Sequence, residues 1–194
     1  MRARYSARGK RGRPSLDGVS LDYYDIAYGS CNVSEALENA LGYKRIFLSS
    51  KDLKIIDSIY KKEEIEGSIS INASDDKDIF AVIKGNPSAI AFKDLHINKK
   101  AMEKMKESEI ALCLPMSYIT CSYGLQRSRN IYLMSKLFAH ARSIKMDASF
   151  ATLAMNNIHL CSYMQLIELA KLLGASDDYA RSSISGINGA LVRK

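Results

Sequence analysis

The feature that most constrains this chain is an alternation of short apolar runs with amphipathic stretches, repeated about seven times. Leu21 to Ala27, Arg45 to Leu48, Ser68 to Asn72, Ser88 to Phe92, Ile110 to Leu114 and Ala148 to Ala154 read as strands. Between them lie helical stretches with their own start and stop signals. Asn32 or Ser34 can cap a helix ended by Gly42, and Ser74, Asn98, Ser162 and Ser176 stand before four more. A side-chain oxygen at such a position accepts from a free backbone N–H of the first turn. Asp52 to Tyr60 reads as a further short helix. The strands are rich in Ile, Ala, Phe and Leu with little polar interruption, as expected of strands buried on both faces. Repeated β–α alternation predicts parallel strands with helices packed outside. The expected fold is an α/β, TIM-barrel-like barrel trimmed to seven or eight strands, because 194 residues is short for a fold that typically uses ~250. An open doubly wound sheet is the alternative, but no glycine-rich phosphate loop follows any strand.

Charge divides the chain in a way that composition alone conceals. The net charge is +7, and residues 1–13 supply +6 with no acid. Arg, Gly, Ser and Pro dominate residues 1–20, which are expected to form a basic arm too poor in apolar surface to fold, ahead of one barrel domain over 21–194. Residues 14–109 carry −4 and residues 147–194 are neutral. Residues 110–146 contain no Asp or Glu and carry Arg127, Arg129, Lys136, Arg142 and Lys145. This stretch reads as a strand, a loop from Ser117 to Gly124, and a long helix from Leu125 to Lys145. Solvated helix faces usually mix both signs. Two arginines in the first turn also oppose the helix dipole, an arrangement that an anion would relieve. The asymmetry points to a nucleic-acid or anionic partner.

Chemistry is sparse. An enzyme barrel keeps its reactive groups at the C-terminal ends of its strands. The first strand supplies Asp25, but Ala27 stands where a metal-dependent phosphoesterase of this architecture places histidine. His96, His140 and His159 form no paired metal-binding motif, and no catalytic triad is suggested. Asp25 is expected to bond a loop. Tyr23, Tyr24, Tyr28, Tyr118, Tyr123 and Tyr132 lie near strand ends or the basic loop and could stack on bases or fill the core. Cys31, Cys113, Cys121 and Cys161 make no CxxC pair, which suits a reducing cytoplasmic setting, with Cys113 packing as a small hydrophobe. No secretory leader or membrane span is expected.

Three stretches in order carry a resemblance. YYDIAYG followed by SEALENALGYKRIFLSS, then LQRSRNIYLMSKLFAHARSIKM, then ASFATLA with HLCSYMQLIELAKLLG, resemble the archaeal ribonuclease P protein component three family. That family is homologous to the thirty-kilodalton ribonuclease P protein subunit and related to the polymerase-and-histidinol-phosphatase barrel. The resemblance spans about residues 22–190, with 51–109 matched by pattern only. Where the family has an Arg-Ser-Pro-type turn, this chain has Leu160, Cys161, Ser162 and Tyr163, so no RNA contact is carried over there. The resemblance implies a protein without catalysis of its own, within an endoribonuclease that removes the 5′ leader from precursor tRNA. It implies ribonuclease P RNA and protein component two as partners, with catalytic magnesium on the RNA and no cofactor or metal in the protein. The expected RNA contacts are Arg127, Arg129, Arg142 and Lys145, then Lys44, Arg45 and Lys93 near other strand ends, and Arg4, Arg8, Arg11 and Arg13 in the arm. Two rivals are a metal-dependent phosphoesterase of the related barrel family and a purely protein-binding barrel.

Deleting residues 1–13 is expected to shift the melting temperature by less than about 2 °C. It is also expected to flatten the salt dependence of RNA binding, because six cations leave. A drop of several degrees would mean that the arm packs on the body.

Overall fold

The computed structural model describes residues 22–27, 30–48, 55–56, 68–72 and 79–188. The basic arm, with Arg4, Arg8, Arg11 and Arg13, lies outside the described residues, as does Tyr28. The elements are β1 (Tyr24–Ala27), α1 (Glu35–Leu41), β2 (Arg45–Leu48), β3 (Ile55–Ile56), β4 (Ile69–Asn72), α2 (Ile79–Lys84), β5 (Ala89–Phe92) and α3 (Lys99–Glu107). They continue with β6 (Ala111–Pro115), α4 (Ser117–Thr120), α5 (Gly124–Ser143), β7 (Ala148–Ala151), α6 (Tyr163–Leu172) and α7 (Asp177–Ser182). A π-helical turn, Ser183–Ile187, follows directly on α7.

Caps behave as the sequence predicts. Ser34, Asn98, Ser162 and Ser176 each accept a first-turn N–H, and Ser162 and Gln165 form a reciprocal capping box. Gly42 ends α1 at φ +79, a left-handed position, and a Cβ there would meet the Tyr163 ring at 2.3 Å. The cap expected at Ser74 lies outside the described residues. Two expectations fail. Ile55 and Ile56, placed in a helix over Asp52 to Tyr60, instead pair in parallel with Ile69 and Ser70 of β4. The loop expected over Ser117 to Gly124 contains the short helix α4.

Among the described residues all strand pairs are parallel. One sheet has the order β3-β4-β5-β6-β7 and another pairs β1 with β2. The period-two pleat separates two cores. Toward the helices, Ile46, Leu48, Ile90, Phe92, Leu112, Leu114 and Phe150 pack against buried residues of α2, α3, α5 and α6. On the other face, Tyr24, Ile26 and Phe47 of the small sheet join Ile69, Ile71, Ala89, Ala91, Ala111, Cys113 and Ala151 in one cluster. Bulky residues of β1, β2 and β4 thus meet small ones of β5, β6 and β7, which lets a narrow interior fill without overlap. The two sheets share this core. Among the described residues no ladder joins β2 to β3.

Side chains and a backbone bond join β1 to β7. Leu153 donates its N–H to the Ile26 carbonyl at 2.9 Å. Thr152 donates its N–H to one Asp25 oxygen at 2.8 Å and its hydroxyl to the other at 2.6 Å. Asn188 donates to the carbonyls of Tyr24 and Phe150 at 3.0 and 2.8 Å, and accepts from the Ser149 hydroxyl. Asp25 thus bonds a loop residue, as the sequence leads one to expect. It is the second residue of β1, fully buried, and bonds the residue just beyond β7. Desolvation raises its pKa to about 6 despite the Thr152 hydrogen bonds, which pull it down.

A carboxylate with a raised folded pKa favours the native state most when protonated. Asp25 therefore contributes stability that is full below about pH 4 and is lost as pH rises through about 6, a swing on the order of 3 kcal/mol. Asp25→Asn is expected to remove that slope from denaturant titrations run across this range, while Asp25→Ala lowers stability by about 2–4 kcal/mol by orphaning both Thr152 donors. An Asp25→Asn protein with the wild-type slope between pH 4 and 6.5 would refute the assignment.

Candidate nucleic-acid interface

α5 determines where the cations stand. Its 20 residues begin after β6 and run back to the start of β7, so its ends lie about 30 Å apart, at opposite ends of the sheet. Residues 124–129 are all exposed, and burial starts at Asn130. Tyr123 precedes the helix with no side-chain cap bond. Leu125 is 91% and Tyr123 79% exposed, so this first turn and a half projects beyond the body.

The expected contact set therefore divides. Arg127, Arg129 and Lys93 lie at the C-terminal ends of the strands, Lys93 directly after β5. Lys44 and Arg45 open β2, and Arg142 and Lys145 close α5, so these four lie at the opposite end. Lys44, Arg45 and Lys93 do lie near strand ends, as expected, but not at the same end of the sheet. Lys44 pairs with Asp22 at 2.5 Å, Arg45 lies over the Phe47 ring, and Arg142 lies 4.5 Å over the Tyr179 ring. Lys145 occupies a left-handed turn at φ 57. The tyrosines divide too. Tyr24 is buried on Phe47, and Tyr23 stacks on Tyr163 while its hydroxyl accepts from Arg181, all in the body. Tyr118, Tyr123 and Tyr132 belong to α4 and α5 or the link between them, and Lys136 sits 4.4 Å over the Tyr132 ring.

Two chambers meet at the strand ends. A cleft of about 410 Å³ lies between the turn after β5 and the start of α5, with Asp94, His96, Gln126 and Arg129 on its polar walls. A second, of about 200 Å³, opens between Ile71, Pro115, Leu153 and Met155 beside Ser117. Lys93 and Tyr118 line both. The walls are braced. Gln126 donates to Asn130 at 2.8 Å, and Asn130 donates to the Tyr118 carbonyl at 2.6 Å. Asp94 accepts from the His96 backbone and faces its ring nitrogen at 3.6 Å. Across the mouth, Asn32 and Asn157 exchange hydrogen bonds of 2.9 and 2.8 Å and fix the loop after β7, leaving Met155 64% exposed. Sequence reasoning missed Asp94, His96, Ser117, Gln126, Asn130 and Met155. Their signal was positional, since Lys93-Asp94 follows the strand AIAF and Ser117-Tyr118 follows ALCLP closely.

Among the described residues no group of three or more His, Cys, Asp or Glu could hold a metal. His140 lies in α5 and His159 in a 3-10 turn, Asn157–His159, that follows β7. All four cysteines are free, and burial pushes the Cys113 thiol up to about 12. Among the described residues no helix is long and apolar enough to cross a membrane.

Fold and rim together define an α/β protein of parallel strands with a cationic, tyrosine-bearing cleft at the C-terminal strand ends. No protein-family model matches the chain, and no curated protein does. Among solved structures it is similar to an uncharacterized protein at 9% identity and TM-score 0.52, covering 88% of this chain and 55% of that one. It is also similar to A. niger ochratoxinase at 14% identity and TM-score 0.48, covering 64% of this chain and 30% of that one. The chain thus spans about half or less of these proteins' lengths. The first likeness supports the α/β fold alone.

Arg127 and Arg129 differ in what they do for the fold. Arg127 donates from Nε to the Ser122 carbonyl at 2.7 Å and lies over the Tyr123 ring. Arg129 makes no hydrogen bond or ion pair among the described residues. Arg127→Gln is expected to cost about 0.5–1.5 kcal/mol and Arg129→Gln to stay within about 0.5 kcal/mol in urea denaturation. Equal losses would show that Arg129 also holds the fold.

Proposed function

We propose that this chain is a protein subunit of ribonuclease P. It braces the catalytic RNA of the ribonucleoprotein that trims the 5′ leader from precursor tRNA, and it has no catalysis of its own. The observation that carries this is the acid-free α5, whose exposed first turns put Arg127 and Arg129 at the same end of the sheet as Lys93. Exposed cations beside an uncapped helix start suit phosphate, and such contacts position a protein on RNA without reading its sequence. The resemblance of the three sequence stretches supplies the particular ribonucleoprotein, with component two as protein partner, magnesium on the RNA, and the cytoplasm as setting. The continuous order β3-β4-β5-β6-β7, with β1 and β2 bonded on beyond β7, supports a barrel closing between β2 and β3. The rival phosphoesterase would draw on Asp25, whose two oxygens are already taken by Thr152.

Filter binding of the full chain to structured ribonuclease P RNA across a salt series tests this. Replacing Arg127 and Arg129 together by Gln is expected to reduce the log–log salt slope by about 1.4–1.8, since each phosphate contact contributes roughly 0.7–0.9. Arg142→Gln with Lys145→Gln, at the other end, is expected to change the slope by less than about 1. Lys171→Gln is the control, because Lys171 is held by Glu168 at 2.8 Å and lies near Asp177. A wild-type slope in the Arg127 and Arg129 double variant would remove α5 from the RNA face.

A further inference from the structure

The rim is more than a basic surface, because its two chambers differ in chemistry and are continuous through Lys93 and Tyr118. The smaller is walled by Ile71, Pro115, Leu153 and Met155, which offer no charge and suit a flat apolar ring. The larger has two cations, Lys93 and Arg129, and one carboxylate, Asp94. A ligand that fits both needs an aromatic body, an anionic end, and donors for Asp94. At about 410 and 200 Å³ the chambers together fall in the range of about 300–1,000 Å³ typical of small-ligand sites.

We infer that this double cleft holds one nucleotide unit, with its base in the apolar chamber beside Tyr118 and its phosphate beside Arg129 and Lys93. Unpaired bases stack on tyrosine and on apolar side chains, and Arg grips phosphate through two parallel N–H groups. Asp94, which accepts from the His96 backbone, stands on the wall of the larger chamber, where a sugar hydroxyl or an exocyclic amino group would meet an acceptor. The chain of hydrogen bonds from Gln126 through Asn130 to the Tyr118 carbonyl holds that residue's backbone in place before a ligand arrives, which lowers the ordering cost of binding. The nucleotide is either an unpaired residue of an RNA chain or a free mononucleotide. The first source rests on the RNA-bracing function proposed above, and the second does not.

Amide NMR titration of the full chain with adenosine monophosphate, cytidine monophosphate, adenosine and inorganic phosphate tests the site. A thiouridine-bearing single-stranded RNA, cross-linked and mapped by mass spectrometry, tests the source. The monophosphates are expected to saturate near millimolar concentration and to shift residues 93–96, 117–118 and 129, with adenosine and phosphate each at least about tenfold weaker. Arg129→Gln is expected to weaken monophosphate binding about fivefold or more, and Ser117→Phe, which fills the apolar chamber, to abolish it. Should Ser117→Phe fail to fold, Met155→Trp at the exposed lip takes its place. Cross-links at Tyr118 or Met155 assign the occupant to RNA. Cross-links elsewhere, with the monophosphate shifts retained, assign it to a free nucleotide. Phosphate binding as tight as the monophosphates, or shifts confined to Tyr132 and Lys136, would overturn the inference. Salt-dependent binding of structured RNA that survives Ser117→Phe, with no monophosphate shifts, removes the pocket and leaves RNA bracing intact. Monophosphate binding without any structured-RNA binding does the reverse.

Discussion

The structure depends on a joint that is made by side chains and a backbone bond where a strand ladder would otherwise stand. β1 and β7 present edge groups to each other, and a buried edge group without a partner costs on the order of 1–3 kcal/mol. Thr152 and Leu153 meet that demand on one level and Asn188 on another. Asp25 is the unusual member. Its charge disfavours burial strongly enough to raise the pKa to about 6, yet it can take two donors at once where a neutral side chain would satisfy one oxygen less well. Joining the small sheet to the larger one brings Tyr24, Ile26 and Phe47 onto the alanines of β5 and β6, and so creates a single inner core.

That core gives the rim its position. With β4 to β7 in fixed parallel register, the turn after β5 and the short α4 after β6 must emerge side by side. Lys93 and Tyr118 are neighbours around the cleft for that reason alone. α5 then carries the cations to two separate places. Arg127 and Arg129 are projected at one end, and Arg142 is drawn onto the ring of Tyr179 at the other. A single charge count over residues 110–146 mixes these two situations.

Much of the architecture was legible because local and global signals agree. Capping serines and asparagines, Gly42 and the alternation of Ile and Ala place most elements within a residue or two. Ile55 and Ile56 lie within Asp52 to Tyr60, which reads locally as a short helix, and tertiary pairing with β4 decides otherwise. α4 has no capping side chain, so nothing in Ser117 to Thr120 announced a helix. The long acid-free helix was plain from sequence, but its two-ended placement of charge was not, since a run of cations carries no record of where a helix starts and stops against a sheet. Asp94 and His96 were invisible as a group with Asn130 because that residue comes from the next βα unit and meets them only once the strands are in register.

The π-helical turn bears on how this fold can change over evolution. Ser183 and Asn188, five residues apart, both reach the strand ends, Ser183 bonding the backbone of Phe150 and Ala148 and Asn188 the carbonyls of Tyr24 and Phe150. A π-helix aligns residues at that spacing, whereas an α-helix advances about 100° per residue and would swing the second one aside. Removing one residue between them would restore ordinary winding with the pair four apart, and i,i+4 neighbours share a helix face, so the turn can lose its extra residue and still aim both side chains at the strands. What is held fixed is which side chains face inward: Ile184 is fully buried in the main core, so its identity is less free to drift than the length of the turn.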